Sequence, residues 1–177
     1  MQEKELITQY QKDSRFLDFF ESWSTENKGN IIPINGLSGS SIPLIAACTF
    51  VKSVKSWIII RREKEEAAYF FNDLEKLLGS QRVLFFPDSY KRPYSEQENI
   101  DNINIGLRTE VLERLSTPSK PCIVVTYPEA IGEKVISKKS LKSKKLKIKV
   151  NQFIDLNFFN ENLFDLGFER VDFVELP

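Results

Sequence analysis

The sequence predicts an α/β domain built on a parallel sheet flanked by helices, followed by the start of a small α+β domain. Short, wholly apolar runs, "SWIIIR" (56–61), "RVLFFP" (82–87) and "CIVVTY" (122–127), alternate with amphipathic stretches long enough for crossover helices. That is the pattern of parallel strands covered on both faces. A glycine-rich turn, "INGLSGSSIPL" (34–44), follows a further apolar run (Ile31, Ile32, Ile34) and precedes a helix, which is where such sheets hold a phosphate. The pattern then changes near residue 137, where seven Lys and no acid occur between 137 and 150.

Taken in order, Leu6, Ile7 and Tyr10 form a short apolar helix face. Asp13 or Ser14 can cap a second helix carrying Phe16, Leu17, Phe19, Phe20 and Trp23 at helical spacing. "NIIPING" (30–36) reads as the first strand, and 41–54 as a buried helix, with Pro43 tolerated in its first turn. Strand 56–61 leads into a helix with Ala67, Phe70, Phe71, Leu74, Leu77 and Leu78 on one face, ended by Gly79. Strand 82–87 opens a long loop (87–102). A helix with Leu107, Val111, Leu112 and Leu115 follows, then strand 122–127 and a helix starting at Pro128. Residues 1–144 thus form one domain with four strands. From 145, the alternation of Lys145, Lys147 and Lys149 with Leu146, Ile148 and Val150 reads as a half-buried strand. Asp155 then caps a helix with Phe159, Leu163 and Leu166 on one face, Gly167 stops it, and "ERVDFVELP" is a last strand. Residues 145–177 are read as the beginning of a second domain, cut short.

Composition excludes several kinds of chemistry. With no His, no Ser-His or Cys-His pair is possible, and Cys48 and Cys122 alone cannot make a four-cysteine zinc site. A net charge of zero gives no global attraction to nucleic acid or membrane. Two cysteines in apolar segments and a polar N-terminus fit a reducing, cytoplasmic setting, with no membrane partner.

The glycine turn lacks the parts that do phosphate chemistry. A P-loop Lys meets the β and γ phosphates, and the Ser or Thr after it holds magnesium. Here Gly36, Gly39 and Ser40 lead instead to Ile42 and Pro43. Pro43 also deletes a backbone donor at the helix start. The turn therefore reads as a degenerate phosphate loop binding no cofactor, with weak anion binding in a residual nest as the rival reading. No apolar strand ends in Asp-Glu to hold a metal, and no catalytic residues are assigned. Tyr90, Lys91, Arg92 and Tyr94 sit in the long loop beside the strand ends, as a possible surface site. The lysine run reads as a solvated linker and strand face, without the interleaved aromatics that a single-strand site uses.

Four segments in order, the turn with "VLFFPDSYKRPY", "LRTEVLERL", "CIVVTYPEAI" and "LGFERVDFVELP", resemble the N-terminal, excinuclease-B-like module of the bacterial transcription-repair coupling factor. The resemblance runs from about residue 30 to the C-terminus. It implies a RecA-like domain that has lost its ATPase residues and its DNA-gripping hairpin. ATP and Mg would act only in the C-terminal motor of the full-length parent. The implied partners are the excinuclease A protein, met through the second domain, and the parent's C-terminal domains, which this module helps to hold inactive. RNA polymerase and DNA would be met through other domains. Arg170, in "GFERVD", matches a position through which the related excinuclease B protein contacts excinuclease A. The fragment is expected to be a monomer.

Overall fold

A computed structural model describes residues 3–25, 31–89, 102–116, 120–143 and 148–165. The described chain divides into two compact units, Met1–Lys134 and Val135–Pro177.

The first unit is α/β. Its helices and strands are α1 (Glu3–Tyr10), α2 (Ser14–Thr25), α3 (Ser41–Val51), β1 (Trp57–Ile60), α4 (Lys64–Leu78), β2 (Val83–Phe85), α5 (Asn102–Ser116), β3 (Ile123–Thr126) and α6 (Pro128–Gly132). The sheet is parallel with the order β1-β3-β2. Register pairs Ile59 with Val125 and Phe85 with Val125, so β3 lies in the middle. All of its residues are buried.

Alternation along the strands sorts the helices onto two faces. The Phe71 ring of α4 meets Phe85, and Phe50 of α3 and Trp23 of α2 meet Trp57, so these three helices cover the face carrying Trp57, Ile59, Val125 and Phe85. On the other face, the Arg108 guanidinium of α5 lies over the Phe86 ring, 4.2 Å from its centroid. Helix α5 packs against β2 and leaves β1 bare on that side, with Ile58 63% and Ile60 58% exposed. The expectation that every strand is doubly covered therefore fails at β1, an edge strand covered on one face.

The expected fourth strand is also absent. Residues 31–35 are unpaired, and Ile31 is 93% exposed. Pro33 interrupts this short run and has no N–H to give to a ladder. Helix α3 ends at Val51 rather than 54, where the Lys52 N–H closes onto Thr49 and Phe50 carbonyls. Other boundaries hold closely. Gly79 ends α4 with φ +87°, a conformation that suits glycine. Pro128 opens α6. Asp13 precedes α2, its Oδ1 accepting the Arg15 N–H at 2.9 Å. The Arg15 side chain, hydrogen-bonded to the same carboxyl, holds the Asp13 pKa down to about 2.

The second unit contains α7 (Lys138–Ser143) and α8 (Leu156–Asp165). Asp155 caps α8 as expected, its Oδ1 accepting from the Asn157 N–H at 2.9 Å. Two expectations change here. Residues 138–143 of the lysine run are helical rather than a linker, with the Ser140 N–H donating to Ser137 Oγ at 3.2 Å. Of the strand expected over 145–150, the described residues 148–150 form none, and Val150 is exposed. The units divide after Lys134, ten residues before the boundary read from sequence. The sequence boundary lies where the Lys and apolar alternation begins at 145; the structural one follows Glu133, whose side chain is tied into the sheet end of the first unit. Residues 166–177, with the expected last strand, lie outside the described residues.

Candidate functional site

The glycine turn is the leading candidate from sequence, and its backbone explains what it can bind. Gly36 and Gly39 have φ of +83° and +54°, so the chain bends through left-handed positions into α3. The donors at the start of α3 are then consumed locally. The Ser41 N–H donates to Ser38 O at 3.2 Å, the Ile42 N–H to Gly39 O at 3.3 Å and the Leu44 N–H to Ser40 O at 3.3 Å. Pro43 has none to offer. Ser41 Oγ donates to Ser38 O at 2.7 Å and accepts the Ser38 N–H at 2.9 Å. The donors that an anion needs at a helix start are thus engaged with the turn's own oxygens.

The surroundings are equally unsuited to a phosphate. A cavity of about 500 Å³ beside the turn is lined by Leu37, Ile42, Trp57, Ile59 and Phe70, with Arg61 as its one charged lining residue among those described. Arg61 is paired with Glu66 and lies over the Phe70 ring. Burial opposes ionisation of Glu66, but hydrogen bonds from the Arg62 N–H and the Arg61 and Arg62 side chains prevail and hold its carboxyl below the usual range. The cavity is thus a mostly apolar seat, and on the other side of the turn, beside Gly36 and Ser41, the Arg15 guanidinium is already held by Asp13.

At the C-terminal end of the sheet lies a polar cluster that sequence reading did not find. Arg108 is 6% exposed. Its Nη1 donates to Ala130 O at 3.1 Å and to Pro87 O at 2.6 Å, and lies 3.3 Å from Glu133 Oε2. Glu133 in turn accepts from the Ser89 N–H at 3.0 Å and from Ser89 Oγ at 2.8 Å. The Tyr127 hydroxyl accepts the Asp88 N–H at 2.9 Å and donates to Asp88 Oδ1 at 2.7 Å. Lys64 Nζ reaches the same oxygen at 3.0 Å. The cluster ties residues 87–89, just after β2, to α6 and the residues flanking it. One signal for it was present: Arg108 shares a helix face with Leu112 and Leu115 by i, i+4 and i+7 spacing, an odd place for a free cation. Tyr90, Lys91, Arg92 and Tyr94 of that loop, and Arg170, lie outside the described residues.

No group of three or more His, Cys, Asp or Glu suited to a metal occurs among the described residues. None of their helices is long and apolar enough to cross a membrane. Comparison with family models, curated proteins and solved structures gives no match to this chain.

Two buried acids give the fold an alkaline limit. Burial raises the Tyr127 phenol above its ordinary 10.0 and pushes the Cys48 thiol from 9.0 up to about 11. In both, the folded state holds the proton more tightly than the unfolded state. Their stabilisation is complete below the unfolded value and is lost as pH rises through the folded one. Urea midpoints should therefore fall progressively from about pH 9 to 11. Cys48→Ala should flatten the lower part of that decline. An unchanged slope in the variant would show that the thiol takes no part.

Proposed function

We propose that this chain is the N-terminal, excinuclease-B-like module of a bacterial transcription-repair coupling factor. In this reading the three-stranded parallel sheet belongs to a RecA-like domain whose nucleotide site has decayed. Residues after about 145 open an inserted α+β domain. The module does no chemistry itself. It recruits the excinuclease A protein to stalled RNA polymerase in nucleotide excision repair, and helps to hold the parent inactive through contacts with its C-terminal domains.

The observation that supports this best is the self-satisfied glycine turn. A glycine turn opening a helix, with Ile42 and Pro43 where a P-loop has Lys and Ser or Thr, suits a helicase relative that keeps its frame for binding proteins. The rival is a helicase-type domain with residual nucleotide or DNA binding. It expects Mg-ATP to engage this turn. Millimolar Mg-ATP should instead leave the amide resonances of Ser38, Ser41, Ile42 and Leu44 unmoved, whereas saturable shifts there would favour the rival.

Recruitment is tested by calorimetric titration of the chain with purified excinuclease A. One-site binding is expected, weakened about tenfold by Arg170→Ala, or roughly 1.4 kcal/mol. An Arg suits such a contact because its planar fork pairs bidentately with a carboxylate. Absence of binding by the folded chain would remove the recruiting role and leave only the α/β fold.

A further inference from the structure

The two ends of the parallel sheet differ in charge. The described residues of the segments entering the strands, 52–56, 79–82 and 120–122, lie at its N-terminal end and contain Lys52, Lys55, Arg82 and Lys120 but no Asp or Glu. Arg114, in the last turn of α5, adds a further cation there. The segments leaving the strands are mixed instead, with Glu63, Asp88, Glu129 and Glu133 set beside Arg61, Arg62, Lys64 and Lys134. In a chain of zero net charge, this one-signed gathering does not follow from composition.

A cleft of about 590 Å³ opens among these entering segments, walled on its polar side by Ser53, Ser80, Gln81, Arg82, Arg114 and Lys120. No carboxylate lines it among the described residues. Arg114 Nη2 donates to Gln81 O at 3.3 Å, which fixes that guanidinium against the turn after α4. The Arg82 N–H closes the same turn onto Gly79 O at 3.1 Å. Arg82 and Lys120 are exposed and make no ion pair among the described residues. Lys52 is turned away, its ammonium lying 5.0 Å from the Phe20 ring centroid. Arg82 and Lys120 thus offer the cleft two exposed cations that an anion can meet, beside the fixed Arg114 guanidinium. Phe50 and Pro121 supply an apolar wall beside them.

We propose that this cleft is a phosphate-binding site, taking the phosphate of a nucleotide-sized ligand or of a nucleic-acid strand. Its volume is ordinary for a small-molecule site. Its cations and hydroxyls suit phosphate oxygens, and the apolar wall gives a sugar or base a surface to lie against. The site is remote from the glycine turn and independent of the recruiting role, so either can fail without the other.

The test is a pair of NMR titrations of the ¹⁵N-labelled full chain, one with pyrophosphate and one with a single-stranded oligonucleotide of about 12 nucleotides. Saturable shifts of the Ser80, Gln81 and Lys120 amides are expected. Arg82→Gln/Lys120→Gln should weaken them at least tenfold. Both residues are exposed, and the same spectra report that the fold is kept. A charge-matched control, Lys12→Gln/Lys134→Gln, removes two exposed cations outside the cleft and should leave affinity unchanged. Binding of pyrophosphate alone assigns a small phosphate ligand. Oligonucleotide binding that weakens steeply with salt assigns a nucleic-acid backbone. No shifts with either probe, or equal weakening by the control pair, overturns the proposal.

Discussion

Arg108→Ala should cost about 3–5 kcal/mol of folding stability, because it removes one side of a buried pair and leaves its partners in place. Pro87 O and Ala130 O would lose their donor, and Glu133 would keep its charge with only Ser89 to meet it. The expected fall in Tm is roughly 10–18 °C for a unit of this size, read by calorimetry or by circular dichroism in urea. Arg108→Met/Glu133→Gln should recover part of the loss, since the charge is removed with its partner while the amide can still meet Ser89. A loss below about 1 kcal/mol in the single variant would mean that the guanidinium does not hold the sheet end together.

Phe16→Ala is the second large effect, about 3–5 kcal/mol by the usual cost of emptying a buried aromatic site. Phe16 is 3% exposed. It stacks on Phe20 at 6.0 Å between centroids and carries the Lys52 ammonium over its ring at 5.5 Å. Helix α2 reaches the sheet through Phe20, Trp23 and Trp57, so losing Phe16 undermines the helical cover at its start. Equilibrium urea unfolding measures the cost. Phe158→Ala, at a residue 66% exposed, should stay within about 0.5 kcal/mol. Equal losses at the two sites would contradict the placement of the core.

Much of this fold was legible because local pattern and tertiary burial agree over most of the first unit. The apolar runs around Ile59, Leu84 and Val124 became strands. The spacing of Ala67, Phe70 and Leu74 became the buried face of α4. Pattern failed where it had no means of reporting pairing. Ile31, Ile32 and Ile34 have the composition of a strand, yet they pair with no strand among the described residues, and Pro33 could not complete a ladder. Ile58 and Ile60 look as apolar as Ile59, but sequence cannot say that α5 stops short of β1. What the glycine turn lacks is visible in Ile42 and Pro43 themselves. That the Ser38, Ser41, Ile42 and Leu44 amides are also engaged goes with the positive φ at Gly36 and Gly39, which only geometry supplies. Arg108 and Glu133 are 25 residues apart and meet through topology alone.

The burial of both thiols gives the chain two internal clocks. Cys48 and Cys122 are 0% and 1% exposed, and Cys48 Sγ lies 3.8 Å from Ile7 O, beneath α1. A thiol reagent added to the folded protein must wait for an opening, so each modification rate reads how often that region comes apart. Cys48 times the lifting of α1 from α3, while Cys122 times the parting of the central strand at its entry. The two rates, separated by mass spectrometry of the digested chain, would rank helical cover against sheet within one sample and without an engineered probe.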